Sequence, residues 1–391
     1  MNTRALRITD LSPGAIGKTW DHYVHPSHSH AAEISPPAAI VAPAPEPVFT
    51  NTRRELTDDG LCVLTFDRPD SAANIFDGAT LDELDAHLTF MAAHPELKGL
   101  VLLSAKPAIF IAGADVHTLY NLIRTPAPDL RDRLASMVER GQNLFDRLAA
   151  LPLPTVAAIH GAALGGGLEV CLSCDFRIAS PDNVTKLGLP ETQLGILPAW
   201  GGSTRLPRLL GLPAALDLIL NGKTVPAKLA LKLGLVDELA PHENLLAAAR
   251  RKITSLAGHL PPRPRRSSLA HRAVTLVAPL IAARVRNQLL RKTRGNYHAV
   301  IQALDVVSRG LRHSVAHSLR LERDAFVDLA TGTRARNLLG LFLLQERAKK
   351  LTGPVADAPG ASAHAAPASA RVTSVAVIGA GVMGEIGRAH V

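Results

Sequence analysis

An α/β fold is the class that this 391-residue sequence predicts. Two observations carry the prediction. Short apolar runs bounded by turn residues alternate with stretches of helical spacing, as strands alternate with helices. The run TVAAI, from Thr155 to Ile159, leads through a short segment into three consecutive glycines and then a helical segment, which reads as a strand-to-helix turn.

The elements follow in order. Residues 1–48 read as a disordered Ala/Pro-rich tail, with Pro36, Pro37, Pro43, Pro45 and Pro47 set among alanines. Order begins near Val48. Leu61 to Phe66 is an apolar run between Asp59-Gly60 and Asp67-Arg68-Pro69, hence a strand. Leu81 to Ala93 has helical spacing through Leu81, Leu84, Leu88 and Met91. Gly99 to Leu103 is a second strand, and Met137 to Leu148 is an amphipathic helix. Pro152 and Pro154 stop that helix before the strand Thr155 to Ile159. This first domain spans 49–250. Residues 251–352 form a helical region: glycine thins out, arginine crowds 263–294, and apolar residues recur at Leu311, Val315, Leu319, Phe326 and Leu329. Thr331-Gly332-Thr333 breaks that helix, and another runs to about Leu351. Residues 353–371 are a flexible Pro/Ala/Gly/Ser linker.

Composition narrows the function classes. Apolar residues make up 47% and charged residues 20%, a globular balance. The formal charge of +9 suits acidic ligands such as nucleic acid, anionic lipid or a phosphorylated cofactor. Nucleic acid is not expected, because only 4% of residues are aromatic and no basic–aromatic module is present. Peripheral contact of the basic 263–294 stretch with a membrane stays open. No run of 18 apolar residues occurs, so no transmembrane segment is expected. The three cysteines form no disulfide framework, which points to a reducing, cytoplasmic setting. Cys171 and Cys174 make a CxxC without the second pair that structural zinc needs, so no metal site is expected.

Three stretches carry chemistry. The first is HGAALGGGLEVCLSCDFRIA, from His160 to Ala179. Gly165, Gly166 and Gly167 let the backbone approach a ligand, and their N–H groups sit at a helix N-terminus, where negative charge is favoured. Such a turn suits a phosphate, or the oxyanion formed when a carbonyl becomes an enolate. Glu169 follows within the first helical turn; a tight turn with a capping acid would read the same way. The second stretch is AIFIAGADV, where a strand ends in Ala112, Gly113, Ala114 and Asp115. The third is LGLPETQLGIL, in which Glu191 stands in an apolar run that would raise its pKa. PAWGGSTRLPRLLG follows, with a small-residue turn at Gly201-Gly202.

Together these stretches, in this order and spacing, resemble the enoyl-CoA hydratase/isomerase (crotonase) superfamily over roughly residues 55–250. The family's FxAGADL element stands here as FIAGADV, and its NGxxLGGGxELxxxCDxxxA element as HGAALGGGLEVCLSCDFRIA. Its FGxPEvxLGlxPgxGG element stands as LGLPETQLGILPAWGG. The resemblance implies a crotonase (ClpP-like) spiral of ββα units followed by a helical trimerisation region, and so a homo-oligomer. It implies an oxyanion hole from the backbone N–H groups of Ala114 and Gly166, with Glu169 and Glu191 as the paired acids of a hydratase. Gly113, Asp115, Gly165, Gly167 and Trp200 join them as substrate-binding residues. Ala199-Trp200 departs from the smaller residues usual before the GG pair, and Trp200 is expected to line the acyl tunnel. The implied reaction adds water across the 2,3 double bond of a 2-enoyl-CoA. Glu169 is assigned as the water-activating base and Glu191 as the acid at C2. The CoA thioester is the substrate and no cofactor is required. The alternatives are a Δ3,Δ2-enoyl-CoA isomerase of the same fold, and a non-catalytic acyl-CoA-binding subunit that docks a thiolase.

Residues 372–384, VTSVAVIGAGVMG, place Gly379, Gly381 and Gly384 in a GxGxxG after an apolar strand. This resembles the opening of 3-hydroxyacyl-CoA dehydrogenases. The order of hydratase, helical region and dehydrogenase start resembles the multifunctional α subunits of fatty-acid β-oxidation, with a thiolase β subunit as the implied partner. A Rossmann fold needs further strands and an acidic residue about 20 positions on. The expectation is therefore a truncated NAD-binding start, with NAD use and dehydrogenase activity confined to a full-length parent. The last residues, EIGRAHV at 385–391, back-translate to a sequencing-adapter oligonucleotide, and an artefactual end is expected there. Resequencing the locus should show a reading frame that continues into a dehydrogenase; a native stop codon after Val391 would contradict this.

Overall fold

The computed structural model describes residues 48–256 and 269–350. The tail through residue 47, the linker at 353–371 and the glycine motif at 379–384 lie outside the described residues.

The α/β expectation holds, and the chain winds as ββα units. Strands β1 (Thr52–Leu56) and β2 (Leu61–Phe66) lead to α1 (Gly78–Ala93). Strands β3 (Gly99–Ser104) and β4 (Ile109–Ile111) lead to α2 (Val116–Arg124) and α3 (Leu130–Ala149). Strands β5 (Thr155–Ile159) and β6 (Ala162–Leu164) lead to α4 (Gly166–Ser173). Strands β7 (Phe176–Ala179) and β8 (Lys186–Gly188) lead to a 3₁₀ turn, Pro190–Leu194. Then come α5 (Gly202–Leu210), α6 (Leu212–Asn221), β9 (Thr224–Pro226), α7 (Ala227–Leu233), β10 (Glu238–Leu239) and α8 (Leu245–Ser255). Helices α9 (Leu269–Thr293), α10 (His298–Gly310), α11 (Val315–Ala330) and α12 (Thr333–Lys350) complete the described chain.

The first strand of each unit enters a six-stranded sheet of order β1-β2-β3-β5-β7-β10, parallel except at the β1 edge. All six residues of β2 are buried, because both faces of the sheet are covered. Leu61, Val101, Val156 and Ile178 face α8, packing on Leu245, Ala249 and Ile253. Their neighbours Cys62, Leu64, Leu100 and Leu102 point the other way, into the main core.

In the first unit both strands lie in that sheet; the second strand of each later unit, with β9, enters a separate four-stranded sheet of order β4-β6-β8-β9. These strands have only three residues each, and β4, β6 and β8 run parallel. The AGA, GGG and PET segments each leave the C-terminal end of one of them. Sheet pairing therefore brings together three stretches that are far apart in the chain.

Three expected boundaries shift. Helix α3 starts at Leu130 rather than Met137, because Leu134 is fully buried and extends the apolar stripe one turn back. The Leu311–Leu329 stripe starts late: α10 ends at Gly310, Leu311 lies in the turn after it, and α11 begins at Val315, where the Ser314 side chain caps it by accepting from the His317 N–H. Helix α8 runs across the boundary at residue 250. Helices α10 and α11 are also more than a connector, since Ala303, Leu304, Val307 and Phe326 share one core with Leu64 and Leu168. Among the described residues no helix is long and apolar enough to cross a membrane.

Gly167 marks where α4 touches β4. A Cβ there would lie 2.1 Å from the carbonyl oxygen of Ile111, a backbone atom with little freedom to move. Gly167→Ala is expected to destabilise the protein by about 1–3 kcal/mol through overpacking. A urea melt checks this; an unchanged midpoint would contradict it.

Candidate active site

The site is built from backbone before side chains. After β4, the Ala112 N–H donates to Asn74 O (2.8 Å), while the Phe76 N–H donates to Gly113 O (2.9 Å) and the Asp115 N–H to Phe76 O (3.1 Å). This parallel bridge uses the groups on either side of Ala114 and leaves the Ala114 N–H turned away from it. Gly113 has φ +104°, a region closed to most side chains. After β6, Gly165 takes φ +54° and its carbonyl accepts from the N–H groups of Leu168 (2.8 Å) and Glu169 (2.9 Å), starting α4. The Gly166 N–H, at the first helical position, has no partner within the helix. Ala114 N lies 3.6 Å from the point that a Gly166 Cβ would occupy, so the two amides are neighbours.

Helix α4 presents Glu169 one turn in, where it is only 3% exposed. Its Oε1 accepts from the backbone N–H groups of Trp200 and Gly202, both at 2.8 Å. Burial lifts its pKa from 4.5 to about 7, and the two amides and Arg205 hold it from rising further. Glu191 sits on the 3₁₀ turn after β8. Its Oε1 lies 2.8 Å from the place a Gly165 Cβ would take, which brings it over the glycine turn. Its Oε2 is buried without a hydrogen-bond partner among the described residues. Burial, then the Glu169 charge, push the Glu191 pKa well above the carboxylate range.

Both carboxyls and both amides line one cavity of about 660 Å³. Leu119, Val138, Leu197 and Phe326 contribute apolar wall. Trp200 forms another part of it, edge-on to Phe76 (6.0 Å) and Phe145 (5.7 Å). A Cβ at Gly141 would lie 2.4 Å from the indole nitrogen, so that glycine makes room for Trp200. The arrangement can hold an elongated apolar ligand with one oxygen at paired donors and two acids beside it.

Of the residues singled out in the sequence, Gly113, Ala114, Asp115, Gly165, Gly166, Glu169, Glu191 and Trp200 line this cavity. Asp115 spends its carboxylate on capping α2, accepting from the His117 and Thr118 N–H groups. Gly167 is a correction: it faces Ile111 and is absent from the cavity wall, because the second helical position turns it toward β4. Gly379, Gly381 and Gly384 lie outside the described residues. One acid was missed. Glu322 on α11 is fully buried, and its Oε2 accepts from the Gly201 N–H (2.9 Å). Its signal was its position in the apolar stripe Leu319, Glu322, Phe326, Leu329, where a carboxyl interrupts a core face.

Comparison with known proteins bears on the family and the fold. The family model described as enoyl-CoA hydratase/isomerase matches residues 57–298. The chain is 37% identical over 342 residues to the fatty acid oxidation complex subunit alpha of Shewanella putrefaciens, covering 87% of this chain and 46% of that protein. It is 39% identical over 350 residues to the same-named protein of Aliivibrio fischeri, covering 85% and 46%. The chain thus spans about half the length of the curated relatives it matches. A crystal structure of enoyl-CoA hydratase from Bacillus halodurans matches with a TM-score of 0.54 at 23% identity, over 75% of this chain and 100% of that one, a likeness of fold.

The raised Glu169 pKa has a consequence for stability. An unfolded chain releases this proton near pH 4.5 and the folded one near pH 7, so between them the folded state binds more protons. Its stability therefore falls as pH rises through this window. Glu169→Gln removes the effect, so its unfolding free energy relative to the parent should rise from about pH 5 to about pH 8. Urea melts at both pH values check this; an unchanged difference would contradict it.

Proposed function

Because the chain belongs to the enoyl-CoA hydratase/isomerase family, we propose that it hydrates the 2,3 double bond of a 2-enoyl-CoA to a 3-hydroxyacyl-CoA. The observation that carries this is two buried carboxyls of unlike electrostatics beside two adjacent backbone donors in one apolar cavity. Hydration needs one acid to take a proton from water and another to give one to C2.

The thioester oxygen accepts from the Ala114 and Gly166 N–H groups. As water attacks C3, electrons move through C2 toward that oxygen and its charge grows. One such donor is typically worth about 2.7–4 kcal/mol in the transition state. Glu169 accepts the water proton; its ionised form is supported by the Trp200 and Gly202 amides. Glu191 delivers a proton to C2; burial and the Glu169 charge keep it protonated, and no donor among the described residues reaches its Oε2. The asymmetry of the two environments supports Glu169 as base and Glu191 as acid. The step draws its activation from the thioester and the amides and calls for no separate cofactor. Isomerisation moves a proton with a single carboxyl, and the presence of both supports hydration instead.

The relatives are named as subunits of a fatty acid oxidation complex. That supports placing the reaction in fatty-acid β-oxidation, with a thiolase subunit as the proposed partner. NAD use is proposed only for a chain that carries a dehydrogenase domain.

A spectrophotometric assay on crotonyl-CoA, a long-chain 2-enoyl-CoA and a 3-enoyl-CoA tests the reading. Hydration of the 2-enoyl substrates is expected. Glu169→Gln and Glu191→Gln should each lower kcat by about 100-fold or more, with KM within a few fold. Normal turnover in either variant, or turnover of the 3-enoyl substrate alone, would overturn it.

A further inference from the structure

The turn Ala199–Gly202 holds Glu169, and its backbone is paired group by group. Ala199 O accepts from Gln142 Nε2 (2.7 Å) and Trp200 O from Arg205 (3.1 Å). Gly201 O accepts from the Thr204 N–H (3.2 Å). The Trp200 and Gly202 N–H groups donate to Glu169. The amide between them, Gly201 N–H, points the opposite way and donates to Glu322 on α11. Gly201 has φ +110°, a conformation open to glycine and closed to most side chains, and its neighbours fix the flexible residue there.

Helix α11 is placed for this. Gln142, which grips Ala199 O, also donates to Leu319 O (2.9 Å), one turn before Glu322. Arg208 on α5 donates to Gly310 O (2.8 Å) and Ser318 Oγ (2.8 Å) at the helix start. Glu322 is fully buried; its Oε1 makes no hydrogen bond of normal geometry among the described residues, although the nearby Thr204 hydroxyl helps hold its pKa down. A buried carboxyl kept with one oxygen unsatisfied is costly unless it serves something. Burial and the Glu169 charge push its pKa to about 8, so near neutral pH it is mostly the uncharged acid. It can then accept from Gly201 without adding a second full charge beside Glu169.

Building on the proposed hydration, we propose that Glu322 is a positioning residue: by accepting the Gly201 N–H it fixes the turn whose flanking amides aim the Glu169 carboxylate. The helical region beyond residue 250 is then a structural part of the active site. Phe326, one turn further along α11, joins the cavity wall.

The test uses Glu322→Gln, which keeps a carbonyl oxygen for Gly201, and Glu322→Leu, which does not. Glu322→Gln should keep most of kcat. Glu322→Leu should lose at least about 10-fold in kcat with KM little changed, as displaced catalytic groups do. A folded Glu322→Leu within about threefold of the parent, or a Glu322→Gln that loses more than about 10-fold, would overturn the proposal. Crystal structures of both variants give a readout independent of turnover. Glu169 Oε1 should leave one or both amides in Glu322→Leu and keep them in Glu322→Gln; an unmoved carboxylate in Glu322→Leu overturns the proposal. Should Glu322→Leu not fold, the structure and kcat of Glu322→Gln decide: a carboxylate that has left either amide, or the loss of kcat, overturns it. A parent protein that turns over no enoyl-CoA would sink the hydratase reading and leave the positioning claim to the crystal structures.

Discussion

The site depends on one constraint: an acid buried to 3% exposure must stay ionisable. Two backbone amides of a single turn meet it at Glu169. Isolated burial of a carboxylate is prohibitive, and the usual outcome is a neutral acid. Donors fixed in the backbone, with the Arg205 charge nearby, change that balance. The turn must therefore offer two N–H groups on one side. Its glycines supply the conformation, and Arg205, Gln142 and Glu322 hold it in place.

From that constraint follows the division between the two acids of the cavity. Glu191 has the same burial problem with no donor to its Oε2 among the described residues, and it also feels the Glu169 charge. Two identical side chains thus part in proton affinity because one faces amides and the other faces apolar wall. The division comes from placement alone, through strands β4, β6 and β8, whose parallel pairing sets their C-terminal ends side by side. Each strand is three residues long, so the small sheet cannot stand by itself. It is carried by the six-stranded sheet and by helices α3, α5, α10 and α11, whose apolar faces merge into one core.

Much was legible in the chain. Apolar runs such as Leu61–Phe66 are strands because strand-forming residues stand between turn residues, a local matter. The glycine turn at 165–167 could be read as an anion-stabilising backbone, since glycine at a strand-to-helix junction has few other uses. Glu169 and Glu191 could be picked out as acids in apolar company. The helix at Met137 was read short, because its first turn is polar apart from Leu130 and Leu134. The helix through Leu329 was read from Leu311, because its start at Val315 is set by the Ser314 capping hydrogen bond rather than by a glycine or proline.

What the sequence determined by itself was the order of elements, the glycine turns and two candidate acids, Glu169 and Glu191, because each stands within a short local motif. What only the tertiary structure decided was which way each group faces. Gly167 turned out to clear space for Ile111 rather than for a ligand, and Glu322 accepts from an amide of the turn behind Glu169, 121 positions away. Such assignments depend on which surfaces pack together. Packing is a property of the folded whole, and adjacent letters in the chain do not carry it.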